Sequence, residues 1–172
     1  MPTDYLKSES LTLLLSEIDE RKTQLEACRD SVSPQIVEAL NIEYTYDSNR
    51  IEGNTLTLRE TDLVINKGLT ISGKSMQEHL EAVNHYEAIQ YVRELTAEST
   101  NFSEKVIKDI HGIILQGIDR ENAGRYRSVP VAISGSRHIP PQPWQVPILM
   151  EQMVAWYVEN ESVLHPVVLA AE

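Results

Sequence analysis

"DSNRIEGNTLTLRET", residues 47–61, closes one helix and opens the next within a few positions. Ser48 and Glu52 lie four apart, so on a helix they share one face, and Gly53-Asn54 stops that helix. Thr57 to Glu60, "TLRE", is a capping box, in which the Thr hydroxyl caps the backbone and the Glu returns the bond. Helices with tight punctuation therefore set the fold class. Glu52 stands out, because a carboxylate at a helix C-terminus is disfavoured by roughly 0.3–1 kcal/mol. A residue placed against its local electrostatics is a candidate for function.

The helical pattern extends on both sides. "SLTLLLSEIDERKTQLEACR" puts Leu11, Leu14, Leu15, Ile18 and Leu25 near helical spacing. Ser33-Pro34 reads as an N-cap followed by Pro at the first helical position. From there Ile36, Leu40, Tyr44 and Ser48 run four apart, with Val37 beside them, as the expected inward stripe of the helix that ends at Gly53. The helix after Thr57 is expected to run to about Asn66 and stop at Gly68. "SMQE", Ser75 to Glu78, is a second capping box. It opens a long helix whose expected stripe is Leu80, Val83, Ala88, Tyr91 and Leu95. Ser103 opens another, with Val106, Ile110, Ile113, Ile114 and Gly117 at helical spacing. The polar connections are 68–75 and 97–103.

The pattern breaks at residues 128–147, "SVPVAISGSRHIPPQPWQVP". Val129, Val131 and Ile133 alternate, Ser134-Gly135-Ser136 turns, and Arg137-His138-Ile139 resumes. Alternation around a turn glycine predicts a β-hairpin. Helix resumes in "ILMEQMVAWYVEN", and a final one begins after His165-Pro166. The expected fold is mainly α with a single hairpin, organised as an N-terminal helix (1–34), a helical region (35–74) and a core segment (75–172) with the hairpin at 128–140.

Fifteen basic against 26 acidic residues leave a net charge of −11. Phosphate contacts need Lys and Arg, so this balance argues against nucleic-acid binding and against anionic membranes. No apolar run approaches the roughly 20 residues that span a bilayer. Cys28 is the single cysteine and has no zinc-type neighbours, which fits a reducing compartment. These features predict a soluble, cytoplasmic protein.

No phosphate loop of the form GxxxxGK(S/T), no GxGxxG and no HExxH is present. His79, His85 and His111 read as satisfied core or boundary histidines. His138 lies on the hairpin beside Arg137, in a loop setting that either holds function or is a plain exposed turn. His165 before Pro166 reads as helix-start chemistry. "AGRYRS", residues 123–128, reads as a loop whose two guanidiniums pair with acids, or bind an anion.

Taken together and in order, "SNRIEGNTLTLRET", "SGKSMQEHLEAVNHYEAI", "IKDIHGIILQGID…AGRYRSVPVAISGSRHIPPQP" and "LHPVVLAAE" resemble the Fic family, in its group with an N-terminal inhibitory helix. The resemblance covers about residues 35–172. It implies a Fic-type helical bundle in which the hairpin is the family's flap. It also implies an autoinhibited protein adenylyltransferase, which moves AMP from ATP to a Ser, Thr or Tyr hydroxyl of a target protein with Mg2+. Ser48, Glu52, Gly53 and Asn54 match the inhibitory motif (S/T)xxxE(G/N). The family glutamate there pairs with an arginine that otherwise grips the γ-phosphate of ATP, a charge-assisted pair that is strong when shielded. Val131, Ile133, Ser134, Gly135, Ser136, Arg137 and His138 match the flap, which lies over the nucleotide and aligns the target backbone by strand addition.

The family's HPFx(D/E)GNGR motif is not among these residues. It supplies the general base, the metal-binding acid and the phosphate cradle. "HPVVLAAE" starts with His-Pro but matches the segment upstream of that motif, so His165 is not expected to be the base, and no catalytic or metal-binding residue is assigned within the chain. The expectation is a polypeptide truncated before the motif and inactive alone. Two other readings stand beside it. One is a stand-alone regulatory module that binds a protein along the flap edge. The other is a structural remnant that forms a homo-oligomer through its uncovered apolar surface.

Overall fold

The computed structural model describes residues 9–29 and 31–172. Seven α-helices follow one another among the described residues: α1 (Glu9–Arg29), α2 (Pro34–Ile51), α3 (Leu58–Lys67), α4 (Met76–Ala97), α5 (Glu104–Ile114), α6 (Val146–Asn160) and α7 (Pro166–Ala171). A 3-10 turn, Pro143–Gln145, leads into α6.

Each boundary has a local cause. Ser33 Oγ accepts from Ile36 N–H, and Pro34 takes the first position of α2. Gly53, at φ +98°, turns the chain out of that helix. The Thr57–Glu60 and Ser75–Glu78 capping boxes are both closed in each direction, opening α3 and α4. Gly68 ends α3 in the left-handed conformation, and Ser103 Oγ caps α5 through Val106 N–H. His165 is the N-cap of α7: its Nδ1 accepts from Val167 N–H at 3.2 Å, with Pro166 following.

The chain divides into two compact units. One comprises the described part of Met1–Val37 with Trp156–Glu172, and the other is Glu38–Ala155. In the first, the His165 imidazole lies 3.2 Å from Asp19 of α1, and Val168 is buried. In the second, α4 is the central helix, with α3 and α5 packed on it. Its core cluster is Leu56, Val64 and Ala82, with Ile71 and Val83 packed alongside.

Two expected faces differ from those observed. Leu40 and Tyr44 of the expected stripe on α2 are more than half exposed, and the buried residues are Asn41, Ile42 and Thr45. The buried face is short and polar because it lies close to α4: Thr45 Oγ1 sits 3.4 Å from His85 Nδ1, and Tyr86 donates to Glu38 at 2.7 Å. On α4, Ala88 is buried as expected, but His79, Ala82 and Asn84 complete the buried face. Asn84 Nδ2 donates to the Ile114 and Gln116 carbonyls at 3.0 and 2.7 Å, satisfying acceptors left open at the end of α5.

The expected β-hairpin is absent: residues 128–140 form no strand among the described residues. The turn itself exists, with Gly135 at φ +75° and Ser136 N–H donating to the Ile133 carbonyl at 3.1 Å. The arms do not pair. Pro130, Pro140 and Pro141 each remove a ladder donor, and Val129, Val131, Ile133 and Ile139 find no surface to bury against, Ile139 being 81% exposed. A two-stranded ribbon without a packed face is marginal in water.

Candidate functional site

Glu52 occupies the turn that follows α2. Its N–H donates to the Asn49 carbonyl at 3.1 Å, Gly53 N–H to Arg50 at 3.1 Å, and Asn54 N–H to Asn49 at 3.0 Å. The carboxylate is exposed and makes no hydrogen bond or ion pair among the described residues. The nearest cation in sequence is directed elsewhere: the Arg50 guanidinium lies 3.8 Å from Asp47 and 5.5 Å from the centre of the Tyr46 ring. Ser48 is half-buried one turn earlier in α2.

Asn54, two residues after Glu52, is buried and fully engaged. Its Nδ2 donates to the Glu78 carbonyl at 3.0 Å and to Glu81 Oε2 at 2.8 Å, while its Oδ1 accepts from Leu56 N–H at 3.0 Å. It fastens the connection between α2 and α3 to the first turns of α4. Thr55 adds to the fastening through its N–H and Oγ1, which donate to Glu78 Oε1 at 3.0 and 2.5 Å. Lys74 donates to the Thr55 carbonyl and, at 3.0 Å, to its Oγ1. The other Glu78 oxygen closes the capping box on Ser75. These donors, the Thr55 hydroxyl first, hold the Glu78 carboxyl down to about 2.

His79 is satisfied as the sequence suggested. Its Nε2 accepts from Ile71 N–H at 2.8 Å, and its Nδ1 lies 2.6 Å from the Ser75 carbonyl, so it ties down the 68–75 connection. His85 is half-buried, and burial lowers its pKa. His111 Nδ1 accepts from Gly124 N–H at 3.1 Å.

That contact belongs to the "AGRYR" turn, which lies against α5. Gly124 has φ +68°, and a Cβ there would stand 3.1 Å from the Lys108 carbonyl oxygen and 3.8 Å from Gly112 Cα. Beside it the Lys108 ammonium lies 4.2 Å from the centre of the Tyr126 ring and 3.3 Å from Glu104. Burial and the neighbouring Glu104 push the Tyr126 hydroxyl up to about 12. Arg127 donates to the Pro141 carbonyl, tying together the two ends of the 128–141 segment. Arg127 thus pairs with a carbonyl rather than an acid.

Between those ends, Val131, Ile133, Ser134, Gly135, Ser136, Arg137 and His138 are all exposed. The one backbone bond across the segment is the Ser136–Ile133 turn, and Ser136 Oγ accepts from His138 N–H at 3.1 Å. An exposed backbone with free donors and acceptors is a surface to which another strand can add. Among the described residues, no three His, Cys, Asp or Glu side chains converge as metal ligands. No described helix is long and apolar enough to cross a membrane.

Sequence reasoning missed Glu78 and Arg127 as positioning groups. The capping box was readable, but Thr55 as the second partner of Glu78 was not, because 23 positions separate them in the chain.

Residues 101–172 match the Fic/DOC family model. The chain is 32% identical over 162 residues to the protein adenylyltransferase Fic of Nematostella vectensis, covering 92% of this chain and 38% of that protein. It spans about a third of the length of the curated relatives it matches. Among solved structures, a Fic domain-containing signaling protein from Bacteroides thetaiotaomicron aligns with a TM-score of 0.73 at 26% identity, over 87% of this chain and 60% of that one. A Fic family protein from Desulfovibrio desulfuricans aligns with a TM-score of 0.74 at 28% identity, over 93% and 47%. The ordered motifs, the pinned "AGRYR" turn and these likenesses carry one conclusion: residues 101–172 match the Fic/DOC family, and the chain is similar to Fic proteins along most of its length.

Proposed function

We propose that this chain is the regulatory and target-facing part of a protein adenylyltransferase, which transfers AMP from ATP to a hydroxyl of a target protein, and that Glu52 inhibits the transfer. The observation that carries the reading is the state of Glu52. Its carboxylate is exposed, has no partner among the described residues, and stands at a helix C-terminus where the dipole disfavours it. An arginine directed at that point gains a charge-assisted bond, and a γ-phosphate brought there is repelled. The groups that bind Mg·ATP and take the target proton belong, in this reading, to the HPFx(D/E)GNGR motif, which is not among residues 1–172. The exposed backbone of 131–138 takes the target chain by strand addition, supported by the unpaired groups of that segment.

The reaction is tested with the protein expressed from its native gene, as wild type and as Glu52→Gly, supplied with Mg·ATP labelled on either the α- or the γ-phosphate. AMP transfer moves the α-label onto protein and leaves the γ-label in pyrophosphate. Transfer of the γ-label alone would mean a kinase and would reject the proposal.

A further inference from the structure

We propose that Glu78 is a positioning residue for Glu52: its carboxylate clamps the chain three residues beyond Glu52 onto the start of α4, and the strength of inhibition is set by that clamp. The inference rests on the reading of Glu52 as the inhibitory carboxylate. One Glu78 side chain accepts four hydrogen bonds from two separate segments. Oε1 takes Thr55 N–H and Oγ1–H at 3.0 and 2.5 Å, and Oε2 takes Ser75 N–H and Oγ1's counterpart, the Ser75 hydroxyl, at 2.8 and 2.9 Å.

A capping box needs only the second pair. The first pair ties it to a different element, and Thr55 is joined to Glu52 through only Gly53 and Asn54. The Asn54 side chain holds the same strip of α4. On the α2 side, Asn49 Nδ2 reaches the Glu81 carbonyl at 3.5 Å, and the Asn49 carbonyl accepts both Glu52 N–H and Asn54 N–H. The turn bearing Glu52 is thus fastened on both flanks, and its own side chain is left free. A carboxylate that must meet an arginine with directional hydrogen bonds acts through such pre-organisation. Loosening the clamp spreads Glu52 over many orientations and weakens its competition with the γ-phosphate.

The test uses the protein expressed from its native gene, with AMP transfer from α-labelled ATP as the readout. The variants are Glu78→Gln, Thr55→Val and Glu52→Gly, with each of the first two also combined with Glu52→Gly. Thr55→Val removes one donor to Glu78 and leaves the Ser75 capping box whole, so it decides the matter if Glu78→Gln does not fold. Hydrogen bonds to a charged group are worth enough to shift a clamped-to-released equilibrium by about tenfold. Glu78→Gln should therefore raise transfer by roughly that factor, with a smaller rise for Thr55→Val. Neither should add to the gain already produced by Glu52→Gly, and amide exchange at Glu52 and Gly53 should quicken in Thr55→Val. A gain in Glu52→Gly with none in folded Glu78→Gln or Thr55→Val overturns the clamp and leaves the inhibitory reading standing. A gain that persists on top of Glu52→Gly also overturns it, since the effect would not act through Glu52. No gain in Glu52→Gly rejects the inhibitory reading and the clamp with it.

Discussion

Gly124→Ala isolates the packing that holds the "AGRYR" turn on α5. Two costs follow from the geometry. An alanine at φ +68° adopts the left-handed region at about 1–2 kcal/mol. Its Cβ would also meet the Lys108 carbonyl oxygen at 3.1 Å, and because that atom is backbone within a helix, relief requires the turn to move. Overpacking of this kind costs about 1–3 kcal/mol. The expected loss is therefore about 2–5 kcal/mol, which lowers the melting midpoint by roughly 4–20 °C at about 2–4 °C per kcal/mol. Gly135→Ala is the matched control. It has φ +75° and nothing within 4 Å of the added methyl, so it carries only the conformational cost. Thermal unfolding followed by far-UV circular dichroism compares the two directly. Equal shifts in both variants would refute the packing argument and reduce Gly124 to an ordinary turn glycine.

Further outcomes follow from the same contacts. Asn54→Ala leaves Leu56 N–H without its acceptor and removes two bonds to α4, one of them to a carboxylate, so denaturant unfolding should show a loss of about 2–4 kcal/mol. His165→Ala should weaken the start of α7 by about 1 kcal/mol, while His165→Asn, which restores a capping acceptor, should recover most of it; AMP transfer should be nearly unchanged in both, since His165 acts as a cap. Glu78 titrates at about 2 in the folded protein against an ordinary 4.5. A depressed folded value means that its contribution is present above pH 4.5 and is lost as pH falls toward 2, so acid unfolding of Glu78→Gln should show a weaker pH dependence across that window. Amide exchange over 131–138 should be nearly unprotected, apart from the Ser136 turn donor.

Helix ends were the most legible part of the fold. Ser33-Pro34, Thr57–Glu60, Ser75–Glu78, Gly68 and His165-Pro166 each carry their cause within four residues, and these boundaries stand where the sequence places them, whereas α5 stops at Ile114, short of the expected Gly117. Helix faces were less legible. Periodicity assigns the apolar stripe inward, yet α2 buries Asn41 and Thr45, because small and polar side chains admit close approach to α4 and find partners there. The hairpin reading failed for a related reason. Alternation at Val129, Val131 and Ile133 describes a strand only where one face has something to pack on and the arms can exchange donors, and three prolines and an open surface deny both. At the site, Glu52 was singled out by the mismatch between its charge and its helix end. Asn54 was read as part of the same functional motif, and its side chain is spent on holding the turn to α4. That role depends on a contact 24 positions away in the chain, which no local pattern carries.

Whether the free carboxylate of Glu52 restrains AMP transfer is read from rates. The most direct measurement is the initial rate of α-label incorporation by wild type and by Glu52→Gly, at equal concentrations of the protein expressed from its native gene and under matched Mg·ATP. A clear rise is expected in the variant, with similar melting midpoints for the two proteins. Equal rates, or a slower variant, would contradict it.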